Sequence, residues 1–368
     1  MKTVVDNVCA ALLLVLAVQV RAGDLLQGTI GKYPVVMEIE AGSDGEYMGS
    51  YFYKKYKQDM LLEGTMKDKL LTLYTLGTQD TFRLRTGGAG YTGFYTNAKG
   101  LKLPVTLTAV KPADVPQPAA GMQFMRSWSD YSKLRMADLQ PVADKKETRG
   151  GRFVLQWYTE PVSKLSYFTV AAGYPDAVMK KMNSSITADF YQNAEAYFSC
   201  DGGNGSSGYE GLEVKPELVS ERFVSYSTSS SWYCNRAAHP DFGTSGTTFD
   251  AQTGQQLTLE DVFWLGKGTK PKYRSDEWYT YRSEVFAPEV VKLLTRLYPN
   301  EMKKPTSEDD YCDYTSPEVW SFSGWYLTDK GLLLGAYFYR AARSCDDPGW
   351  SVIPYPVLKK YNPAMFGK

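Results

Sequence analysis

The sequence predicts an α+β protein. An N-terminal antiparallel β meander or small barrel is followed by an α+β domain whose helices pack on an antiparallel sheet. Two observations lead to this prediction. From Gly28 to about Val110, short segments of alternating apolar and polar residues follow one another with only turn residues between them. From residue 151 onward, strand patterns alternate with apolar residues at helical spacing.

The first 22 residues have the pattern of a secretory signal. Lys2 precedes the apolar run "AALLLVLAVQV", and Val20-Arg21-Ala22 places small residues where a signal peptidase cleaves. This run and every later one are too short to span a bilayer in the mature protein. We therefore expect cleavage after Ala22 and a soluble, periplasmic or secreted product without a transmembrane anchor.

The mature chain is predicted to divide into three segments. An all-β domain covers residues 23–110, where "YPVVMEIE", "YMGSYFY" and "KLLTLYTL" carry the two-residue period of strands. A linker covers 111–150, because the prolines of "KPADVPQPAAG" favour an extended, semi-rigid chain. The α+β domain covers 151–368.

Two helices and a hairpin are predicted in the second domain. Pro175 suits a first helical position, and an apolar stripe follows it. Ser275 is a plausible cap of the second helix, and Pro288 breaks or restarts that helix. Thr328 to Gly331 form the turn of a hairpin near the end of the chain. The stripe residues are Val178, Met182, Ile186 and Phe190 in the first helix, and Val291, Leu294, Leu297 and Tyr298 in the second.

The cysteine count predicts disulfides. Cys9 precedes the apolar signal run, which leaves four cysteines, and an even number in an exported protein is typical of disulfide pairing. The predicted hairpin brings Cys312 and Cys345 to a shared end, which leaves Cys200 to pair with Cys234. Because the chain has no C-x-x-C pair and a single histidine, no metal site is predicted.

Charge and composition exclude some partner classes. The 41 basic and 41 acidic residues give a formal net charge of zero, which argues against a nucleic-acid partner and against a polybasic membrane-surface module. The chain is rich in aromatic residues, with 28 Tyr and 8 Trp. Such residues suit both sheets and binding surfaces, and most of the tyrosines are expected to face water from sheets.

The segment from Asn235 to Phe263 contains the only histidine, His239. "GTTFD" predicts a strand, "AQTG" a turn with Gly254 at positive φ, and "QQL" a returning strand. Thr258 then caps a short helix with Asp261 reaching back, and Leu257 and Val262 flank the cap as a hydrophobic staple. The part from Phe249 onward is thus explained by structure alone, without a catalytic role.

The same segment resembles a known domain. "AHPDF…TTFDAQTGQQLTLEDVF", with "YLTDKGLLL" and "VIPYPVLKKY" further on, is similar to the extracytoplasmic domain of the lysozyme-sensing anti-sigma factor RsiV. That domain also accompanies certain peptidoglycan deacetylases, outside their catalytic domain. The resemblance covers roughly Phe153 to Tyr361. Arg236-Ala237 stand where glycines are usual, so we expect a differently shaped loop around His239.

The resemblance implies a non-enzymatic binding protein of the cell envelope, which recognises a lysozyme-type protein or a peptidoglycan glycan. The candidate ligand contacts around the loop are His239, Asp241, Trp232, Tyr233 and Phe242. No cofactor is predicted, and neither is a catalytic residue. His239 and Asp241 could form an acid–base pair, but the intervening Pro240 points their side chains in unhelpful directions. A blander alternative is a structural envelope protein whose two domains hold partners apart.

The alternative function is a wall-active glycan hydrolase. Its two carboxylates would need no local motif, so the sequence does not exclude such a pair. The adjacent acids Glu260-Asp261 read as a helix start, and Asp309-Asp310 read as a solvated loop.

Overall fold

A computed structural model describes residues 23–88, 90–119, 121–306 and 311–367. The predicted signal segment and Asp309-Asp310 lie outside these residues. The strands are β1 Asp24–Ile30, β2 Tyr33–Ala41, β3 Glu46–Tyr53, β4 Met60–Lys67, β5 Leu70–Thr75, β6 Thr81–Gly87, β7 Gly90–Thr96, β8 Lys102–Ala109, β9 Val142–Arg149, β10 Phe153–Thr159, β11 Ser166–Ala172, β12 Tyr209–Val219, β13 Phe223–Trp232, β14 Asp241–Asp250, β15 Gly324–Leu327, β16 Gly331–Gly335 and β17 Val352–Pro354. The α-helices are α1 Asp130–Met136, α2 Asp176–Ser199, α3 Leu259–Val262, α4 Asp276–Thr280, α5 Ala287–Leu297, α6 Tyr355–Tyr361 and α7 Pro363–Phe366.

The first eight strands form a closed antiparallel barrel. Each strand pairs with the next, and β8 pairs back with β1 from Leu26↔Ala109 to Ile30↔Val105. Of the two arrangements predicted for this segment, the structure has the barrel. Side chains at alternate positions fill its interior, as the period of the strands requires. Gly64 allows the neighbouring strand β5 to approach closely, since a Cβ at this position would lie 1.9 Å from the Thr72 carbonyl oxygen.

Residues 111–150 are more than the predicted linker. Helix α1 begins after Ser129, whose hydroxyl accepts a hydrogen bond from the Ser132 amide, and Tyr131 of this helix packs on Phe52 of the barrel. Strand β9 pairs with β10, so it belongs to the second half of the chain. The proline-rich composition that suggested a spacer is confined to the beginning of the segment.

The second half contains three antiparallel sheets, each of three strands, and the remaining helices. The predicted stripe of α2 is confirmed, because Val178, Met182, Ile186 and Phe190 are all buried. This helix packs against β11. Pro175 is the N-cap, one position before the first helical residue. None of the helices among residues 23–88, 90–119, 121–306 and 311–367 is long and apolar enough to cross a membrane.

The helical region after Ser275 is interrupted by a π-helical turn. Ser275 caps α4 as predicted, and α5 restarts with Pro288 in its first turn. Residues Tyr281–Phe286 between them form π-helix, which rotates the following residues relative to a continuous α-helix. The buried face of α5 is therefore Val290, Leu293 and Leu294, and of the predicted stripe Leu294 alone is fully buried.

Both predicted disulfides and the hairpin are present. Cys200 pairs with Cys234 and Cys312 pairs with Cys345, with Cα–Cα distances of 5.0 and 5.5 Å. Strands β15 and β16 form the hairpin that turns between Thr328 and Gly331. The capping box of α3 is also formed, with Asp261 Oδ2 accepting from the Thr258 amide at 2.9 Å.

A buried ionic cluster joins the barrel to the second half of the chain. Arg135 of α1 donates to Asp59, on the loop between β3 and β4, at 2.6 Å, and lies 3.4 Å from Glu195 of α2. Tyr131 donates its hydroxyl to the other Asp59 oxygen at 2.6 Å. The side chains of Arg135 and Asp59 are only 1% and 6% exposed. The adjacent Gln58 donates to the carbonyl oxygen of Cys200 at 2.9 Å.

Folding is expected to take up a proton at Asp59. Burial raises its pKa from 3.8 to about 6, against the opposing effects of Arg135 and Tyr131. A raised folded-state pKa contributes stability that is fully present below pH 3.8 and is lost as pH rises through about 6. Relative to Asp59→Asn, the wild type should lose roughly 2–3 kcal/mol of unfolding free energy over this window. Denaturant unfolding of both proteins at several pH values measures the difference. A flat difference, or one that grows with pH, contradicts the assignment.

Candidate functional site

The loop around His239 lies between β13 and β14 and is anchored at its beginning by the Cys200–Cys234 disulfide. His239 is exposed, and its Nδ1 lies 3.2 Å from the Pro240 carbonyl oxygen. Among the described residues no hydrogen bond or ion pair links His239 to Asp241. The structure therefore gives this histidine a local contact and no acid–base partner.

Arg236 fastens the same loop to the barrel. Its backbone is in the left-handed region, with φ of 69°, a conformation that glycine adopts more easily. Its guanidinium pairs with Glu63 of β4 at 2.8 Å and also donates to the Leu62 carbonyl oxygen at 3.3 Å. The departure from the glycine pattern thus accompanies a contact with the N-terminal barrel.

Asp241 and Phe242, at the start of β14, are held by arginines from a distant part of the chain. Arg343 donates to the Asp241 carboxylate at 2.8 Å and to the Phe242 carbonyl oxygen. Arg340 donates to the Pro240 carbonyl oxygen at 2.6 Å. Burial alone would lower the pKa of Arg343, but Asp346 and Asp241 raise it overall, so the guanidinium stays charged.

These residues line a small cleft of about 310 Å³. Of the predicted ligand contacts, Trp232, Asp241 and Phe242 line it, whereas His239 and Tyr233 do not. The Arg343 guanidinium lies over the ring of Phe242 at 5.2 Å and over that of Tyr337 at 4.6 Å. Tyr337 in turn lines a second, larger groove.

The larger groove, here called the aromatic groove, has a volume of about 860 Å³. Its polar wall comes from β14, where Thr244, Ser245 and Gly246 line it. Aromatic side chains from helix α4, from β15 and from loops contribute to the lining as well. Four of them, which are 45–58% exposed, are Tyr273, Tyr279, Phe322 and Tyr337.

A buried ion pair lies at the base of the aromatic groove. Arg282 contacts Glu260 Oε1 at 2.5 Å, and the Trp278 indole donates to the same oxygen at 2.9 Å. The side chains of Arg282 and Glu260 are 5% and 6% exposed. Glu260 lies in the first turn of α3, in agreement with the predicted helix start, and it is also buried. This ion pair fixes the position of Trp278.

The chemistry that the groove offers is recognition by rings and hydroxyls. Among the described residues that line it, Glu260 is the single carboxylate. Glycoside hydrolysis with two acids needs carboxyl groups about 5–5.5 Å or about 6.5–9.5 Å apart. No group of three or more His, Cys, Asp or Glu that could hold a metal occurs in the part of the chain that the structure describes.

Several functional candidates were missed by reasoning from the sequence. Arg340 and Arg343 lie about 100 positions after Asp241, and no local pattern indicates their contact. Most tyrosines were expected to face water from sheets, and Tyr273, Tyr279 and Tyr337 were not singled out. The structure instead places them on helix α4 and on loops. A sequence signal was available for Tyr273 and Tyr279, because "KYRSDEWYT" carries aromatic residues around a predicted helix start.

Comparisons with known proteins do not identify the chain, because no family model and no curated protein matches it. The resemblance of Phe153 to Tyr361 to the RsiV domain therefore stays a prediction based on its motifs. Within this range the capping box of α3 is formed, and the "VIP" strand β17 leads directly into α6.

Proposed function

We propose that this chain is an exported, non-enzymatic binding protein of the cell envelope, and that its aromatic groove binds an oligosaccharide derived from peptidoglycan. The observation that carries the proposal is the set of exposed rings around an open groove with a fixed base. The two disulfides support an oxidising compartment outside the cytosol. The expectation that the oligosaccharide comes from the cell wall rests on the resemblance to the RsiV domain.

Aromatic rings suit sugars because one face of a pyranose ring presents C–H groups that pack on a flat π-surface. The rings of the aromatic groove are braced by one another. Trp278 lies 5.6 Å from Phe322 and 5.1 Å from Tyr273, and Tyr279 lies 5.7 Å from Phe322, measured between ring centroids. Such bracing reduces the conformational entropy that a ligand must otherwise remove on binding.

The concave shape favours a glycan over a protein partner at this site. A stable protein interface buries about 800 Å² on each partner and has a closely packed centre. The aromatic groove is instead concave and is lined by both hydroxyl groups and aromatic rings. An extended sugar chain can use both kinds of contact, whereas a lysozyme-type protein would have to insert a projecting loop.

The hydrolase alternative is disfavoured by the surroundings of Glu260. A general acid or nucleophile must reach the glycosidic oxygen or the anomeric carbon. Glu260 is buried and accepts from both Arg282 and Trp278 on one oxygen. These contacts suit a structural anion that positions the Trp278 ring.

Removing one ring of the aromatic groove should weaken glycan binding. For Tyr279→Ala and for Phe322→Ala we expect an affinity loss of about tenfold or more, because each truncation removes a sugar-stacking surface. The measurement is calorimetric titration of the mature, oxidised protein with soluble peptidoglycan fragments. Tyr74→Ala is the matched control, since this residue is 54% exposed on the barrel strand β5 and should leave affinity unchanged.

Other outcomes of the titration distinguish the alternatives. Equal losses in Tyr74→Ala and the groove variants would contradict the site. Binding to a lysozyme panel without binding to fragments would replace the glycan by a protein partner. Release of reducing sugar that Glu260→Gln abolishes would make the protein a hydrolase.

A further inference from the structure

One end of the barrel carries a cluster of tyrosines and a carboxylate around a cavity. Here β3, β5 and β7 end and the strands that follow them begin, so the inward positions near these ends form a mouth. Deeper positions are mostly aliphatic, such as Leu62 and Leu84, with Phe82 beside them. At the mouth the inward positions are Tyr53, Asp80 and Tyr95 instead.

The mouth opens into a cavity of about 590 Å³, a volume typical of small-ligand sites. Its floor is Tyr51, which is fully buried and lies 5.2 Å from the Phe82 ring. Tyr53 is held edge-on by Tyr51 at 5.8 Å. The outer rim includes Tyr56 from the barrel, with Asn204 and Gly205 from the glycine-rich loop that follows Cys200.

The Asp80 carboxylate lines the same cavity as these rings. Asp80 accepts from the Tyr95 hydroxyl at 2.5 Å and from the Ala98 amide at 3.0 Å, one bond on each oxygen. Because each carboxylate oxygen can accept two hydrogen bonds, Asp80 can still interact with a ligand. Burial and then Asp80 raise the pKa of Tyr95 above its usual range, so this ring stays a neutral phenol with an electron-rich face.

We propose that the barrel mouth binds a small organic ammonium ion, with Tyr51, Tyr53, Tyr56 and Tyr95 as an aromatic cage and Asp80 as the counter-charge. This site is separate from the aromatic groove and does not depend on the function proposed for it. Aromatic rings attract a cation through their quadrupoles, and the attraction strengthens where water is excluded. The ammonium of Lys55 already lies over the Tyr56 ring at 5.1 Å, so this ring holds a cation in the free protein.

Other ligand classes fit the barrel mouth less well. An anion would meet the Asp80 carboxylate, and an apolar ligand would remove water from that carboxylate without replacing its hydrogen bonds. Lys99, on the exposed turn after β7, lines the cavity, and the Lys55 ammonium lies over Tyr56 at the outer rim. Both cations are at the outer part of the mouth, whereas the lining residues of the inner wall are Asp80 and tyrosines.

Choline and its neutral isostere, 3,3-dimethyl-1-butanol, test the charge requirement directly. Both have the same shape, and only choline carries the quaternary nitrogen. In calorimetric titrations of the mature protein we expect choline to bind about tenfold tighter or more. Shifts in the NMR signals of the mouth tyrosines should accompany its binding. Equal affinities, or no choline binding at millimolar concentrations, would overturn the proposal.

The barrel offers a matched control for the carboxylate. At the opposite end Tyr91 donates its hydroxyl to Asp24 at 2.9 Å, the same pairing as Tyr95 with Asp80. Asp80→Asn should weaken choline binding at least about tenfold, whereas Asp24→Asn should leave it unchanged. Tyr53→Leu removes a cage ring without touching either carboxylate and should also weaken binding. Equal effects at Asp24 and Asp80, or full affinity in Tyr53→Leu, would contradict the site.

Discussion

Replacing Arg135 with alanine is expected to lower the free energy of unfolding by about 3–5 kcal/mol. The substitution leaves the Asp59 carboxylate buried with Tyr131 as its remaining side-chain partner. It also removes the Arg135 guanidinium from beneath the rings of Phe52 and Tyr131, at 5.3 and 4.9 Å. The loss should be largest at neutral pH and smaller at pH 4, because an unpaired Asp59 will bind a proton as pH falls. Denaturant unfolding at both pH values measures it.

The Arg135 prediction has a rescue control. Asp59→Asn added to Arg135→Ala removes the unpaired charge, so part of the stability at pH 7 should return. Arg152→Ala is a surface comparison, since the side chains of Arg152 and its partner Glu221 are 61% and 79% exposed. It should cost less than about 1 kcal/mol. A loss in Arg135→Ala that Asp59→Asn does not reduce would mean that packing, rather than the buried charge, carries the effect.

Sequence patterns predicted the fold best where the period of apolar residues within an element identifies that element. The barrel strands have a two-residue period, and the stripe from Val178 to Phe190 has the period of a helix. Long-range arrangements escaped prediction. Helix α1 packs on the barrel through the contact between Tyr131 and Phe52, and these two residues are distant in sequence. The face of α5 could not be extrapolated, because a π-helical turn shifts the residues that follow it.

The site was predicted only in part for the same physical reason. Trp232, Asp241 and Phe242 were found because they flank a recognisable loop, and they do share a cleft. The arginines that hold this cleft come from a 3₁₀-helix far along the chain, Arg340–Cys345. The aromatic groove gathers residues from five separate stretches between Thr244 and Tyr337. Side chains that are brought together only by tertiary contacts have no regular spacing along the chain, so a single sequence does not predict that they share a site.

Removing the Cys200–Cys234 disulfide, by Cys200→Ala with Cys234→Ala, should lower the free energy of unfolding by about 4 kcal/mol. The bond closes a loop over a sequence separation of 34, and its loss lets the unfolded chain explore more conformations. The effect should reach the barrel mouth as well. The disulfide anchors the loop that carries Asn204 and Gly205, which Asp201 ties to the barrel through the Leu61 amide at 3.1 Å.

The second disulfide separates these two effects. Cys312–Cys345 closes a separation of 33, so Cys312→Ala with Cys345→Ala should cost nearly the same stability by loop entropy. It packs in the core around Trp320, away from the barrel mouth. We therefore expect choline affinity to fall in the Cys200 variant and to be retained in the Cys312 variant. Thermal unfolding and choline titration of both proteins test this. Equal losses of affinity would mean that global loosening, rather than the anchored loop, controls the barrel mouth.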